Sequence, residues 1–176
     1  MDFIGEIVDK SSGGHKWILV AIDYFTKWIE AIPTKNTTRK VVIEFLMDSI
    51  LTRFGVPIRL VVDNSICFGS KEFKDFCATY GIEIFYSALY HPQGNGWAKS
   101  SNKSILKIIK RMLEKNKKAW NSKLKFALWA DRLTIKKAIG KSPFELVYGS
   151  QARIIVNNLL PIKKFMHEYG EMEDSI

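Results

Sequence analysis

The chain has 176 residues, 47% of them apolar and 26% charged, with a formal net charge of +9. That length suits one domain with a sizeable core, and the apolar share excludes an intrinsically disordered chain. No apolar run is long enough to cross a membrane, and the first residues lack the charged-then-apolar order of a secretory signal, so no membrane partner is expected.

Phe3 to Val8 alternates and is rich in β-branched residues, which predicts a strand, and Ser11-Ser12-Gly13-Gly14 predicts a turn. Trp17 to Ile22 is a nearly continuous apolar run, the pattern of a central strand. Asp23-Tyr24-Phe25-Thr26 turns the chain into a third strand, Lys27 to Ile32, which Pro33 ends. Asn36 or Thr37 caps a helix whose apolar positions, Val41, Val42, Phe45, Leu46, Ile50 and Phe54, share one face, and Gly55 and Pro57 stop it. Ile58 to Val62 reads as a short apolar strand of the buried, parallel type. Ser70 caps a helix running to Tyr80, Gly81 ends it, and Ile82 to Phe85 forms a fifth strand.

The segment from Ser87 to Gly96, with one proline and two glycines, reads as a loop. A long helix follows from about Trp97 to Lys115, its apolar side made by Ile105, Ile108, Ile109, Met112 and Leu113. A further helix spans about Ala119 to Lys137, with Trp120, Leu124, Ala127, Leu128 and Ala130 available for packing. Ser142-Pro143 starts a last short helix with proline at its first position, and residues 162–176 form a polar tail behind a core domain of residues 1–161. Three antiparallel strands followed by alternating helix and strand predict a mixed α/β layered domain.

The positive charge is concentrated. From Trp97 to Lys125 there are ten Lys or Arg and one Glu, so this window alone carries the whole excess. Lys99, Lys103, Lys107 and Lys110 recur at helical spacing on the side opposite the isoleucines, a face suited to tracking phosphates without much sequence preference. A merely solvated helix face is the competing reading of the charge. In the loop before it, Tyr90, His91, Gln93 and Asn95 could hydrogen-bond to or stack on nucleotides, and His91 could equally pack the loop. Cys67 and Cys77 do not have a zinc spacing, and they read as buried, reduced thiols of an intracellular protein. Trp120 and Trp129 read as core or dimer contacts, and Asp23 as a turn residue.

Four blocks, in order, carry a family resemblance: Met1-Asp2-Phe3-Ile4-Gly5; Val62-Asp63-Asn64 with Phe68; His91 to Lys103; and Lys141 to Gly149. They resemble the integrase catalytic core of gypsy-class LTR retrotransposons, plant ones especially, within the retroviral integrase superfamily. From Asp63 to position 99 there are 35 intervening residues, the interval of that family. The resemblance implies a ribonuclease-H-like fold, a five-stranded mixed sheet of order 3-2-1-4-5 flanked by helices. It implies metal-dependent trimming and joining of DNA ends, with Asp2 and Asp63 holding Mg²⁺ or Mn²⁺. It also implies DNA as partner (retrotransposon ends and target), a homodimer, and action in the nucleus. Hard cations of this kind take carboxylate oxygen and retain exchangeable waters.

The third acid of the family, a glutamate, should stand on the first turn of the long helix. Lys99 occupies that position, and no Asp or Glu lies between Ile84 and Leu113. Two unit charges about 4 Å apart interact by roughly 4 kcal/mol at an effective dielectric near 20, so an ammonium there opposes metal binding as well as removing a ligand. Catalysis is therefore expected to be severely reduced or absent, and the alternative reading is a non-catalytic nucleic-acid-binding or assembly module. Ser65 stands where the family has glycine after the Asp-Asn pair, a strained position if positive φ is needed there. Asp131 stands where an aromatic residue is usual, and Met1 immediately precedes the first acid, a shortened lead-in to the first strand.

Overall fold

The structure, a computed structural model, describes residues 1–7, 10–87 and 117–153. The chain divides into two compact units: Met1–Ala21 with Glu30–Leu124, and Ile22–Ile29 with Lys125–Ile176.

Strand β1 (Asp2–Ile4) pairs antiparallel with β2 (Trp17–Ile22), Asp2 opposite Val20 and Ile4 opposite Ile18. β3 (Ile29–Thr34) lies on the other side of β2. β1 ends well before the expected Val8 because Gly5 takes φ +140° and passes so close to β2 that an added Cβ would sit 2.8 Å from the Lys16 carbonyl oxygen. β3 starts later than expected, since Lys27 turns the chain with φ 60°. It also continues through Pro33, which was expected to end it. A proline is tolerated there because β3 is an edge strand of this sheet and one side of it needs no ladder donor.

Helix α1 (Arg39–Phe45) runs on through a wide turn, Leu46–Leu51, into α2 (Thr52–Phe54). Its N-cap is Thr38 rather than Asn36 or Thr37. Gly55 at φ 86° ends it, as the sequence suggests. β4 (Arg59–Val62) pairs parallel with β5 (Glu83–Tyr86), Val62 opposite Tyr86. β4 is buried on one face only: Leu60 and Val62 are buried and Val61 is exposed. Arg59 interrupts the apolar run, and its guanidinium meets the Glu83 carboxylate at 2.9 Å on the exposed side. The strand could not be buried on both faces with that charge on it.

Between β4 and β5 the chain adds a short helix the sequence did not signal, α3 (Ile66–Gly69), and then α4 (Lys71–Thr79). The Ser70 hydroxyl caps α4 by accepting from the Phe73 N–H at 3.3 Å. Leu19, Val42, Phe45, Val62, Phe68 and Phe73 form the centre of the first unit's core. Cys67 and Cys77 join that core as free thiols.

The hydrogen bonds of the described strands thus make two sheets, β1-β2-β3 and β4-β5. The Met1 ammonium, just before β1, donates to the Val61 carbonyl of β4.

A short tight turn, Lys117–Ala119, leads into helix α5 (Trp120–Leu133). Trp120, Leu124, Ala127, Leu128 and Ala130 are buried, the residues the sequence offered for packing. α5 stops before the expected Lys137, where the backbones of Lys136 and Lys141 bridge instead. α6 (Pro143–Tyr148) has the expected start, with Ser142 and Glu145 forming a reciprocal capping box and Gly149 in the left-handed conformation at its end.

In the second unit Trp28 is buried beneath Phe144, Tyr148 and the Arg132 guanidinium, which lies 4.4 Å from a Trp28 ring centroid. Arg132 also donates twice to the Ile29 carbonyl, at 3.0 and 2.6 Å. Asp131, in the place of an aromatic residue, is buried against the Lys136 ammonium at 2.7 Å. No helix among the described residues is long and apolar enough to cross a membrane. The expected helix from Trp97 to Lys115 and the tail 162–176 lie outside the described residues.

Candidate functional site

Asp2 opens β1 and Asp63 follows the last residue of β4. The Met1 ammonium links the two strands at this end. Met1 is half-buried, and its ammonium donates to the Val61 carbonyl. Burial holds its pKa below the ordinary value, while the carboxylates of Asp2 and Asp63 both push it back up. Asp2 and Asp63 thus stand on two strands that this bond links, Asp2 at the start of β1 and Asp63 just after β4.

Asp63 is oriented locally. Its Oδ1 accepts from the Ser65 N–H at 2.9 Å, an Asx-turn that fixes the carboxylate. Ser65 itself has φ −67°, ordinary extended backbone, so the strain expected from replacing glycine is not there. Three further bonds tie the Asp63 loop to the exit of β5. The Ser87 N–H donates to the Val62 carbonyl at 2.8 Å, the Asn64 amide donates to the Ser87 carbonyl at 3.3 Å, and the Tyr86 hydroxyl donates to the Phe68 carbonyl at 3.0 Å. The take-off of the segment leading to position 99 is thereby held against the second acid. Sequence reading missed Asn64 and Tyr86 in this role; the side-by-side Asp63-Asn64 pair was the available signal.

Two aspartate carboxylates are donors of the kind that suit a hard divalent ion. The residues present fit such an ion in part: among the described residues no cluster of three or more His, Cys, Asp or Glu could hold a metal. Lys99 lies outside the described residues, as do Tyr90, His91, Gln93, Asn95, Lys103, Lys107 and Lys110. Asp23 is a turn residue, its carboxylate accepting from the Thr26 N–H and hydroxyl at 2.7 and 2.6 Å. The two tryptophans part company: Trp120 is fully buried in the core, and Trp129 is 40% exposed.

Residues 1–92 match the integrase core domain family. Over 155 residues the chain is 33% identical to the Gag-Pol polyprotein of avian reticuloendotheliosis virus, covering 88% of this chain and 13% of that protein. It is 32% identical over 143 residues to the Pol polyprotein of radiation murine leukemia virus (strain Kaplan), covering 81% and 24%, and 36% identical over 138 residues to the feline leukemia virus Gag-Pol polyprotein, covering 78% and 8%. The chain spans a minor part of each of these polyproteins.

Among solved structures it resembles a chain of the simian T-cell lymphotropic virus intasome in complex with PP2A regulatory subunit B56 gamma. The TM-score is 0.71 at 21% identity, over 88% of this chain and 56% of that one. It also resembles the HTLV-2 integrase catalytic core domain in complex with magnesium (trimeric form), with TM-score 0.64 at 20% identity, over 82% of this chain and 93% of that one. These likenesses give the fold, the ribonuclease-H-like architecture of integrase cores. With residues 1–92, more than half of the chain, matching its model, the chain belongs to the integrase core domain family.

Proposed function

We propose that this chain is the integrase core of a gypsy-class LTR retrotransposon of the plant-like type, built to process and join DNA ends. The observation that carries this reading is the family match of residues 1–92, with Asp2 opening β1 and Asp63 following β4. The Lys141 to Gly149 block and its capped helix α6 support the gypsy-class assignment. In this reading β1 lies beside β4, giving a sheet of order 3-2-1-4-5. The Met1–Val61 bond at that junction supports the placement.

Asp2 and Asp63 would hold Mg²⁺ or Mn²⁺, and the magnesium in the HTLV-2 core structure supports that choice of ion. When bound, such ions activate the attacking oxygen and stabilise the leaving oxygen of a phosphodiester. The chain's own residues supply position. The Asx-turn at Ser65 aims Asp63, and the Asn64 and Tyr86 bonds fix the exit toward position 99. Tyr90, His91, Gln93 and Asn95 take the DNA end, while Lys99, Lys103, Lys107 and Lys110 take its phosphates. Lys99 puts a cation where the third acid belongs, so this copy binds DNA and has lost most of its catalysis. Action is in the nucleus, as a homodimer.

The test is end trimming and strand joining with Mn²⁺ on retrotransposon-end DNA, comparing the protein with Lys99→Glu. Activity in the variant alone is the expected result. Activity in the protein as it stands would refute the role given to Lys99. No activity in either, with salt-sensitive DNA binding in both, would favour the non-catalytic binding module that Lys99 itself suggests.

A further inference from the structure

The turn between β2 and β3 carries two adjacent aromatic rings into solvent. Tyr24 is 65% exposed and Phe25 76% exposed, so both rings are open to a partner. The turn is rigidly built. The Asp23 carboxylate accepts both from the Thr26 N–H and from its hydroxyl, and the Thr26 hydroxyl oxygen accepts from the Trp28 N–H at 3.2 Å. Across the turn, the Asp23 N–H donates to the Trp28 carbonyl at 2.9 Å, and the Lys27 N–H donates to the Asp23 carbonyl at 3.0 Å. The Lys27 ammonium donates to the Tyr24 carbonyl at 2.7 Å and lies 4.5 Å from the centroid of the Tyr24 ring. The backbone that carries the two rings is thus ordered, with a cation beside the Tyr24 ring, so little backbone ordering remains to oppose binding.

Charge selects the class of partner. The described residues of this unit, 22–29 and 125–153, carry seven Lys or Arg against three acids. Each acid is engaged internally: Asp23 in the turn, Asp131 with Lys136, and Glu145 in the Ser142 capping box. Among these described residues a polyanion meets surplus positive charge, with each carboxylate already committed. The polyanion that also presents flat faces to aromatic rings is a nucleic acid with unpaired bases.

We propose that the Tyr24–Phe25 tip is a stacking platform for unpaired bases of a single-stranded nucleic acid, with Lys27 beside it facing the phosphates. This rests on nucleic acid being the chain's ligand, as read above, and it uses none of the residues named there. Stacking of this kind tolerates any sequence, because every base has a π-face.

The test is fluorescence anisotropy of the full chain with a labelled single-stranded oligothymidine and with a duplex of the same length. The variants are Tyr24→Ala, Phe25→Ala and Phe25→Leu, which leave Asp23, Thr26 and Lys27 to hold the turn; unchanged thermal unfolding confirms that they fold. Each alanine variant is expected to weaken single-strand binding about tenfold, and Phe25→Leu most of that, since an apolar side chain without a π-face cannot stack. Duplex affinity and the salt slope stay near their starting values, because phosphate contacts are kept.

Unchanged single-strand affinity in all three variants, equal loss on duplex and single strand, or no single-strand binding by the protein would each overturn the proposal. Neutralising Lys103, Lys107 and Lys110 separates it from the reading above. If that leaves the salt slope intact while the tip variants lose single-strand binding, the basic segment is wrong and the tip stands.

Discussion

Replacing Lys136 by methionine probes the buried ion pair of the second unit. Asp131 is 1% exposed and the Lys136 side chain 15% exposed, with Nζ and Oδ1 2.7 Å apart. The other carboxylate oxygen of Asp131 is buried without a hydrogen-bond partner, so the lysine is its main compensation. Removing one partner of such a pair strands the other charge and costs about 3–5 kcal/mol. The backbone bridge between Lys136 and Lys141 survives the change, which places the loss at the lower end, about 3 kcal/mol. For a domain of this size that lowers Tm by roughly 6–12 °C. Replacing both partners, Asp131→Leu with Lys136→Met, removes both desolvation penalties and should restore stability to the starting value or raise it by about 1–4 kcal/mol. Urea unfolding followed by tryptophan fluorescence measures each case. A single variant within about 0.5 kcal/mol of the parent, or a double variant no better than the single, would show that the pair is not the buried, desolvated contact it looks like.

Three more expectations follow from local geometry. Gly5→Ala should destabilise the protein by about 1–3 kcal/mol, since its φ of +140° and the Lys16 oxygen 2.8 Å from an added Cβ leave no room for a side chain; denaturant unfolding checks it. Ser142→Ala should cost about 1 kcal/mol of helix-capping stability. The partner in that cap, Glu145, has its carboxyl held below the ordinary 4.5 by the Ser142 backbone and hydroxyl. A depressed acid contributes stability that is full above the ordinary value and fades as pH falls through the folded one. Ser142→Ala should therefore flatten the acid limb of stability between those two values, as pH-dependent melting would show. The Cys77 thiol is pushed up to about 11 by burial, so it should resist thiol reagents at neutral pH until the protein unfolds; labelling rates with and without urea decide this.

The local chemistry of most elements was legible in the chain. Ser70, Ser142-Pro143, Gly55 and Gly81 announced helix boundaries because each supplies a cap or a conformation that other residues supply poorly. What was not legible depended on neighbours in space. Pro33 looked like a strand end because the sequence does not say that β3 is an edge strand. β1 was drawn too long because nothing local shows Gly5 pressed against Lys16. Ser65 looked strained because the family position suggested glycine, whereas the Asp63 carboxylate stabilises an extended backbone there. At the candidate site, the motifs singled out Asp2 and Asp63. The bonds that position them, from Asn64 and Tyr86 across to Ser87 and Phe68, join residues about twenty apart and leave no periodic trace.

Calorimetric titration with Mn²⁺ bears most directly on the pairing of Asp2 with Asp63 and the intrusion at position 99. The protein should bind the ion weakly. Lys99→Glu, which turns a repelling cation into a ligand, should tighten binding by about a hundredfold or more. Asp63→Asn in that variant should abolish the gain. Binding by the unaltered protein as tight as by Lys99→Glu, or a gain that survives Asp63→Asn, would contradict the account.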